Sequence, residues 1–239
     1  MHACALTDIG KKRQLNQDFL FYSEKPVGNL PSLFVVADGM GGHQAGDYAS
    51  REGVKILLQL IEADSSHDPS VILKGCIEKM NRILWRRARE DAALAGMGTT
   101  LVAAVLADGL MTVANIGDSR LYVIGHEIHQ VTKDHSLVEE LVAQGRLVRG
   151  SAEYAAKKNV ITRAVGVDEQ VTADFFEVKV LEDETVLLCS DGLTNMVTDS
   201  EIYAIVHRGL SLEEKAQALI EAANLSGGRD NITVILIER

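Results

Sequence analysis

Hydrophobic residues along this chain fall into short runs that end at charged residues, glycines or other turn formers. Apolar runs of this length, several of them rich in β-branched residues, predict β-strands. Because most of the runs do not alternate apolar with polar positions, at least one face of each predicted sheet should be covered. The predicted strands lie over 33–37, 99–106, 110–116, 120–124, 185–189 and 231–237.

Other segments repeat apolar residues at helical spacing and predict four helices over 45–62, 69–94, 199–207 and 212–225. Ser211 stands in the position of an N-cap for the last of these. In the middle of the chain the predicted strands follow one another without intervening helices. This order favours an α+β fold of antiparallel sheets flanked by helix pairs over a doubly wound parallel sheet.

The chain shows no stretch with the composition of an interdomain linker. It has only three prolines among its 239 residues, so we expect a single domain over 1–239. The segment from about 134 to 159 differs from the rest, since Gly145 and Gly150 interrupt a short helical pattern within polar sequence. We expect this segment to be a surface insertion that acts as a flap.

Charge and targeting signals narrow the possible partners. Asp and Glu number 34 against 24 Lys and Arg, which gives a formal charge of −10 and argues against a nucleic-acid partner. A phosphorylated substrate would then need a local cation or metal. No apolar run approaches the ~20 residues of a membrane span, and the first residues lack the apolar core of a signal peptide. We therefore expect a cytoplasmic protein with no membrane insertion.

Three aspartates directly follow apolar runs: Asp38, Asp118 and Asp191. A carboxylate at the end of a buried strand is costly unless it is paired, hydrogen-bonded or bound to a metal. The simpler interpretation of an Asp-Gly step is a turn, and 108–109, which lies between two apolar runs, predicts a hairpin turn. Neither Asp38 nor Asp191 is followed at once by a returning strand, so the turn and the metal site both stay open for them.

Two further aspartates stand beside predicted strands, Asp230 before the last strand and Asp18 before the apolar residues 19–22. Alone, either is typical of a cap or a turn. Five such aspartates with no His or Cys at ligand spacing suit Mg²⁺ or Mn²⁺ better than zinc. Two ions of this kind can share a bridging hydroxide and support an in-line attack on phosphorus. Arg13, in a run of basic residues, is by itself typical of a solvated surface.

Seven segments, in order along nearly the whole chain, resemble the motifs of one family. The family is that of the bacterial metal-dependent protein phosphatases, the protein phosphatase 2C type. One such segment would be weak evidence, whereas seven in the same order are specific. The segments are 7–18, 36–46, 96–100, 115–122, 132–141, 189–196 and 227–234.

The resemblance implies a metal centre of two Mn²⁺ or Mg²⁺ ions, with a third, weaker ion beside them. Asp38 would bridge the two ions, and Gly39 would bind one of them through its backbone carbonyl. Asp191 and Asp230 would complete the other site, and Asp118 together with Asp191 would hold the third ion.

The resemblance also implies roles for residues around the metals. Asp18 would act near the second metal through water, and Arg13 would bind the substrate phosphate through its planar fork of donors. Two positions depart from the wider family, because Gln17 replaces a common Glu and Met40 replaces the histidine that animal-type members carry as a general acid. His43 is a nearby candidate acid, although a lone histidine after a glycine turn is more often structural.

By the same resemblance, the fold should be a four-layer α-β-β-α sandwich with two central antiparallel sheets. The activity should be serine/threonine protein phosphatase, with direct attack of the metal-bridging hydroxide on phosphoserine or phosphothreonine and no phosphoenzyme. The expected partners are phosphorylated proteins, including a cognate bacterial Ser/Thr kinase, and the expected state is a monomer.

Two competing interpretations can be weighed on the sequence. Residues 76–82 formally satisfy the C-x5-R pattern of a cysteine phosphatase, but they contain no glycine and lie within a helical pattern. Cys76 is therefore predicted to be a core residue. A phosphoprotein-binding module that has lost catalysis should have lost metal aspartates, and all of those matched here are present. An active enzyme is the prediction.

Overall fold

Two antiparallel sheets form the centre of the molecule, in a computed structural model that describes residues 1–42 and 44–239 apart from the side chain of Ala155. The first sheet has the strand order β1 (His2–Asp8), β11 (Ile232–Glu238), β10 (Thr185–Cys189), β7 (Arg120–Ile124) and β8 (Ile128–Gln130). The second has the order β2 (Asp18–Ser23), β3 (Leu33–Met40), β5 (Leu101–Ala107), β6 (Leu110–Ile116) and β9 (Asp174–Lys179), and β4 (Gly98–Thr99) pairs with β3.

Helices cover the outer face of each sheet. The second sheet packs against α1 (Ala45–Glu62) and α2 (Pro69–Glu90), and the first against α6 (Asp199–Val206) and α7 (Leu212–Leu225). Three apolar clusters fill the space between these layers, one under each helix pair and one between the sheets. The predicted four-layer α-β-β-α sandwich of the α+β class is confirmed. No helix in the described part of the chain is long and apolar enough to cross a membrane.

The strands in the interior of each sheet were predicted from the sequence, whereas the strands at the sheet edges were not. The four strands with no predicted counterpart are β1 and β8, the edges of the first sheet, and β2 and β9, the edges of the second. Edge strands are partly exposed, and the sequences of β1, β8 and β9 lack a continuous apolar run. β2 does contain one, residues 19–22, but this run was not predicted as a strand.

Helix and strand boundaries needed three main corrections. The strand predicted over 33–37 continues to Met40, so Asp38 and Gly39 lie within β3. The helix predicted over 69–94 ends at Glu90, because Asp91 has an extended conformation and its carboxylate caps a separate 3₁₀ turn, Ala92–Leu94. The strand predicted over 99–106 is divided at Thr100 between β4 and β5. Ser211 caps α7 as predicted, in a reciprocal capping box with Glu214.

Two sequence predictions about local features are confirmed. Asp108 and Gly109 form the two-residue turn between β5 and β6, and both have a positive φ, 49° and 81°. Cys76 is completely buried within α2 and belongs to the cluster under α1 and α2. The segment 134–159 contains two short helices, α3 (Leu137–Ala143) and α4 (Ala152–Lys157).

Candidate metal centre

Strand ends from both sheets bring the five predicted aspartates to one end of the sandwich. Asp18 and Asp38 are directly opposed in the β2–β3 pair. Asp118 lies in the connection between β6 and β7, and Asp230 lies two residues before β11. Asp191 follows β10 and begins the four-residue helix α5 (Asp191–Thr194). Because β10 and β11 pack across from β3, residues distant in sequence converge on one site.

A cavity of about 270 Å³ opens at this point. Six of the predicted site residues line it: Arg13, Asp38, Gly39, Asp118, Asp191 and Asp230. Asp18 does not line the cavity and lies buried behind it. His43 lies outside the described residues, so its predicted role as a general acid stays a prediction. Sequence reasoning did not single out four other lining residues, Gly41, Thr100, Asn159 and Ile161.

The carboxylate of Asp18 joins the two sheets. Its Oδ2 accepts hydrogen bonds from the hydroxyls of Ser190 and Thr233, each at 2.7 Å, and both donors belong to the first sheet or its immediate end. Its Oδ1 is buried and has no hydrogen-bond partner among the described atoms. One oxygen is therefore fixed by the protein while the other is left for a ligand that the chain does not supply.

Asp191 repeats this arrangement. Its Oδ2 accepts a hydrogen bond from the side-chain amide of Asn195 at 2.8 Å, and its Oδ1 is buried without a hydrogen-bond partner among the described atoms. A buried carboxylate oxygen without a donor costs free energy unless a cation satisfies it. Two such oxygens at one site are the observation that most favours bound metal.

The site raises the pKa of its own carboxyls. Burial, followed by the charges of neighbouring aspartates, raises the pKa of Asp191 to about 6, that of Asp18 to about 7 and that of Asp118 to about 8. The pKa of Asp38 lies well above its ordinary value for the same two reasons. Ionising this cluster at neutral pH is therefore unfavourable unless divalent cations balance the charge.

Backbone and hydroxyl contacts hold Asp38 in place. The backbone N–H of Asp38 donates to Thr100 Oγ1 at 2.9 Å, and Thr99 Oγ1 donates to the carbonyl of Asp38 at 3.0 Å. The hydroxyl of Thr100 also shares a hydrogen bond of 2.8 Å with Ser119, the residue after Asp118. The paired threonines of the 96–100 motif thus connect Asp38 to the residue after Asp118, a contact that the sequence motif alone did not reveal.

The glycines after Asp38 and Asp191 are required by close backbone approach. A Cβ on Gly39 would lie 2.0 Å from the carbonyl oxygen of Gly46, and one on Gly192 would lie 1.8 Å from that of Asn231. Any side chain at either position would displace the backbone that carries the adjacent aspartate. Neither residue has the positive φ of a hairpin glycine, so the turn interpretation fails for both Asp-Gly steps.

Arg13 reaches the same cavity from the loop after β1. Its Nη2 donates to Asp230 Oδ2 at 2.7 Å, while the side chain remains 47% exposed. Burial alone would lower the pKa of this guanidinium, but the hydrogen bond and the charges of Asp230, Asp38 and Asp191 raise it instead. Arg13 is therefore exposed at the surface, as its basic run predicts, but it is also ion-paired with an aspartate that lines the cavity.

The donor set fits hard divalent ions that retain water. Within residues 1–42 and 44–239, no three His, Cys, Asp or Glu side chains form a group arranged to hold a metal ion. A closed cage of the kind that holds structural zinc is thus not preformed here. Mg²⁺ commonly keeps several waters and binds through one or two carboxylates, which fits two carboxylate oxygens without hydrogen-bond donors near a cavity with room for water.

Comparison with known proteins gives concordant matches over the chain. The family model described as Protein phosphatase 2C matches residues 10–226. The serine/threonine phosphatase stp of Listeria monocytogenes is 42% identical over 244 residues, which cover 100% of this chain and 96% of the relative. Protein phosphatase PhpP of Streptococcus pneumoniae is 39% identical and covers 99% of this chain and 97% of the relative.

Solved structures agree with these sequence matches. The serine/threonine phosphatase of S. agalactiae superposes with a TM-score of 0.91 at 36% identity, covering 99% of this chain and 98% of that one. The Mycobacterium tuberculosis phosphatase PstP/Ppp gives a TM-score of 0.87 at 31% identity, covering 100% and 99%.

Proposed function

We propose a function for this protein from the premise that the chain belongs to the protein phosphatase 2C family. The resemblance in its motifs is thereby confirmed, and dependence on divalent metal follows from the family. The proposed activity is hydrolysis of phosphoserine and phosphothreonine in proteins. It is supported above all by a cavity that joins Arg13 to four aspartates, next to buried carboxylate oxygens that lack donors.

The same residues are the proposed metal ligands. Asp38, with the carbonyl of Gly39, Asp191 and Asp230 would hold two Mn²⁺ or Mg²⁺ ions, and Asp118 with Asp191 a third, weaker one. Asp18 lies behind the cavity, consistent with action through water. When bound, such ions provide a nucleophile from water at neutral pH and stabilise the charge on the phosphoryl oxygens.

The chain's own groups orient the substrate and the ligands. Arg13 would hold two phosphoryl oxygens with the donors that Asp230 does not use, which fixes the phosphorus for in-line attack. The hydroxyls of Ser190 and Thr233 hold the Asp18 carboxylate in one rotamer, and the amide of Asn195 does the same for Asp191. These contacts fix the ligand geometry before substrate arrives.

The physiological setting belongs to the same proposal. Phosphoproteins, including a cognate bacterial Ser/Thr kinase and its targets, are the proposed substrates. The proposed working state is a cytoplasmic monomer in which residues 1–239 act as one catalytic domain and the 134–159 segment as its flap.

The test is hydrolysis of a phosphothreonine peptide by the purified protein with added Mn²⁺. We expect EDTA to abolish turnover and Asp191→Asn to reduce it severely, because each removes support for the metal centre. Arg13→Ala should mainly raise KM, because the metals would still activate water. Full activity in EDTA together with full activity of Asp191→Asn would refute the metal mechanism, and unchanged KM and kcat in Arg13→Ala would remove Arg13 from the site.

A further inference from the structure

Four basic residues lie within two positions of residues that line the cavity, although the chain carries a net charge of −10. Lys11, Lys12 and Arg229 are exposed, and Lys158 is partly buried. We call these four residues the cationic lip. None of them forms an ion pair within the described part of the chain, and none has a role in the proposed hydrolysis.

One side of the cationic lip is built by two loops that hydrogen-bond to each other. The backbone N–H groups of Lys11 and Lys12 donate to the carbonyl of Gly228 at 2.7 and 3.2 Å. Arg229 follows Gly228 directly, and the next residue along each loop reaches the cavity as Arg13 or Asp230. Backbone contacts therefore hold Lys11, Lys12 and Arg229 beside the phosphate-binding arginine.

Lys158 forms the other side of the cationic lip, after α4. It lines a recess of about 160 Å³ together with Asp118 and Asp191. Among the described residues, its Nζ donates only to the carbonyl of Asn195, at 3.5 Å. Burial lowers the pKa of Lys158, the charge of Asp191 raises it, and the charges of Arg120 and Arg229 lower it further. The ammonium of Lys158 is thus close enough to interact electrostatically with both Asp191 and Arg229.

Other cations near the site already have partners. Arg120 binds Asp134, Arg149 binds Glu139, Lys157 binds Glu153 and Arg163 binds Asp174. The nearby carboxylate of Asp8 accepts hydrogen bonds from the backbone of Gly10 and from Asn224. The cationic lip therefore differs from its surroundings because its basic side chains form no ion pair with a carboxylate of the described chain.

We propose that the cationic lip selects phosphoprotein segments with Asp or Glu close to the phosphorylated residue. The inference rests on the proposed phosphatase function and specifies its substrate class. An extended peptide advances about 3.3–3.6 Å per residue, so residues one or two positions from the phosphoresidue lie about 7 Å or less away. Lys12 and Arg229 are next in sequence to the cavity residues Arg13 and Asp230, so acidic side chains at these positions come within range of the cationic lip at the Debye length of ~8 Å.

The experiment compares three substrates. The first is a phosphothreonine peptide with Asp at the two positions before and the two positions after the phosphothreonine. The second is the same peptide with Ser at those positions, and the third is para-nitrophenyl phosphate. Exposed charge pairs contribute about 0.2–1 kcal/mol each, or roughly 1.4- to 5-fold. We expect the holoenzyme to prefer the acidic peptide by roughly 3- to 10-fold in kcat/KM at low salt. The preference should shrink as salt is raised to about 0.5 M because of screening.

Lys12→Glu/Arg229→Glu is the informative variant. It should abolish or invert the peptide preference while leaving turnover of para-nitrophenyl phosphate within about twofold, since that substrate is too small to reach these residues. Lys74→Glu/Lys79→Glu is the matched control. Both lysines are exposed on α2, and replacing them by Glu changes the net charge by the same amount. The control should keep the preference of the parent protein.

Each possible result bears on a separate claim. Equal kcat/KM for the two peptides, a preference that survives Lys12→Glu/Arg229→Glu, or an equal loss in the lysine control would overturn the substrate proposal and leave the phosphatase function intact. Binding to anionic lipid vesicles that Lys12→Glu/Arg229→Glu removes without altering peptide preference would also overturn it, in favour of a membrane surface. Absence of hydrolysis of every substrate would instead count against the phosphatase function itself.

Discussion

The dipeptide Asp-Gly occurs in the hairpin turn between β5 and β6 and at the end of the sandwich that holds the proposed metal site, and it has a different role in each place. At the hairpin, Asp108 and Gly109 both have a positive φ, and the chain reverses direction. At Asp38-Gly39 no reversal occurs, because both residues lie within β3. At Asp191-Gly192 the chain enters α5 instead of returning.

The role of glycine differs accordingly. Gly109 is needed for its backbone conformation, whereas Gly39 and Gly192 are needed because another backbone carbonyl occupies the place of a side chain. The role of aspartate differs too, since Asp108 is a turn residue and the other two carry carboxylates into a shared, electrostatically unfavourable site. The same dipeptide is therefore required by local backbone conformation at the hairpin and by contacts with distant backbone at the other two positions.

The largest difference between the two regions should appear in activity. We expect Asp38→Asn to lower kcat/KM on a phosphothreonine peptide by about 100-fold or more, because it removes a proposed metal ligand. Asp108→Asn should leave kcat/KM unchanged, since asparagine tolerates the left-handed conformation. Equal activity in the two variants would mean that Asp38 does not take part in the site.

Stability should separate the two kinds of glycine. Gly192→Ala places a Cβ 1.8 Å from a backbone carbonyl, and we expect the free energy of unfolding to fall by about 3 kcal/mol or more. Gly109→Ala should cost about 1–2 kcal/mol through its positive φ, since its nearest contact is the movable side chain of Arg239. Denaturant unfolding measures both, and a smaller loss for Gly192→Ala would contradict the close-approach explanation.

The metal site should also make stability depend on pH. The folded-state pKa values of Asp191, Asp18 and Asp118 are raised to about 6, 7 and 8, above about 3.9 for an unfolded Asp. Between these limits the folded state binds more protons than the unfolded state. The metal-free protein should therefore lose stability as pH rises from about 4 to 8.

Mn²⁺ should reverse this trend, because it competes with protons for the same carboxylates. Thermal unfolding in EDTA and in Mn²⁺ at several pH values measures both effects, and the stabilisation by Mn²⁺ should grow with pH. Asp108→Asn should retain this behaviour and Asp118→Asn should weaken it. A stabilisation by Mn²⁺ that is independent of pH would contradict the assignment of these carboxylates to the metal site.

The smallest effect belongs to the hairpin itself. Asp108→Ala should lower the free energy of unfolding by about 1 kcal/mol, because alanine is disfavoured at a positive φ, without affecting catalysis. Asp108→Asn restores a residue that suits this conformation and should recover most of the loss. A fall in kcat for Asp108→Ala would show that the hairpin and the metal site are coupled.

Sequence patterns predicted the sheet interiors and most of the site residues, and they failed where contacts cross the fold. Apolar runs identify buried strands, and the ordered motifs identified Arg13 and the aspartates. The hydroxyls that fix Asp18 come from Ser190 and Thr233, which are 172 and 215 residues away. No local pattern encodes such pairs, because they exist only once the two sheets pack.

The strand order of the first sheet also has a consequence for synthesis on the ribosome. β11, formed by Ile232–Glu238, lies between β1 and β10. Because β1 pairs only with β11 in this sheet, its hydrogen bonds cannot form until nearly all of these 239 residues have been translated. Such distant pairing makes folding slow and leaves early segments exposed. Asp230 is translated just before β11, so the proposed metal site lacks one of its aspartates until synthesis is almost finished.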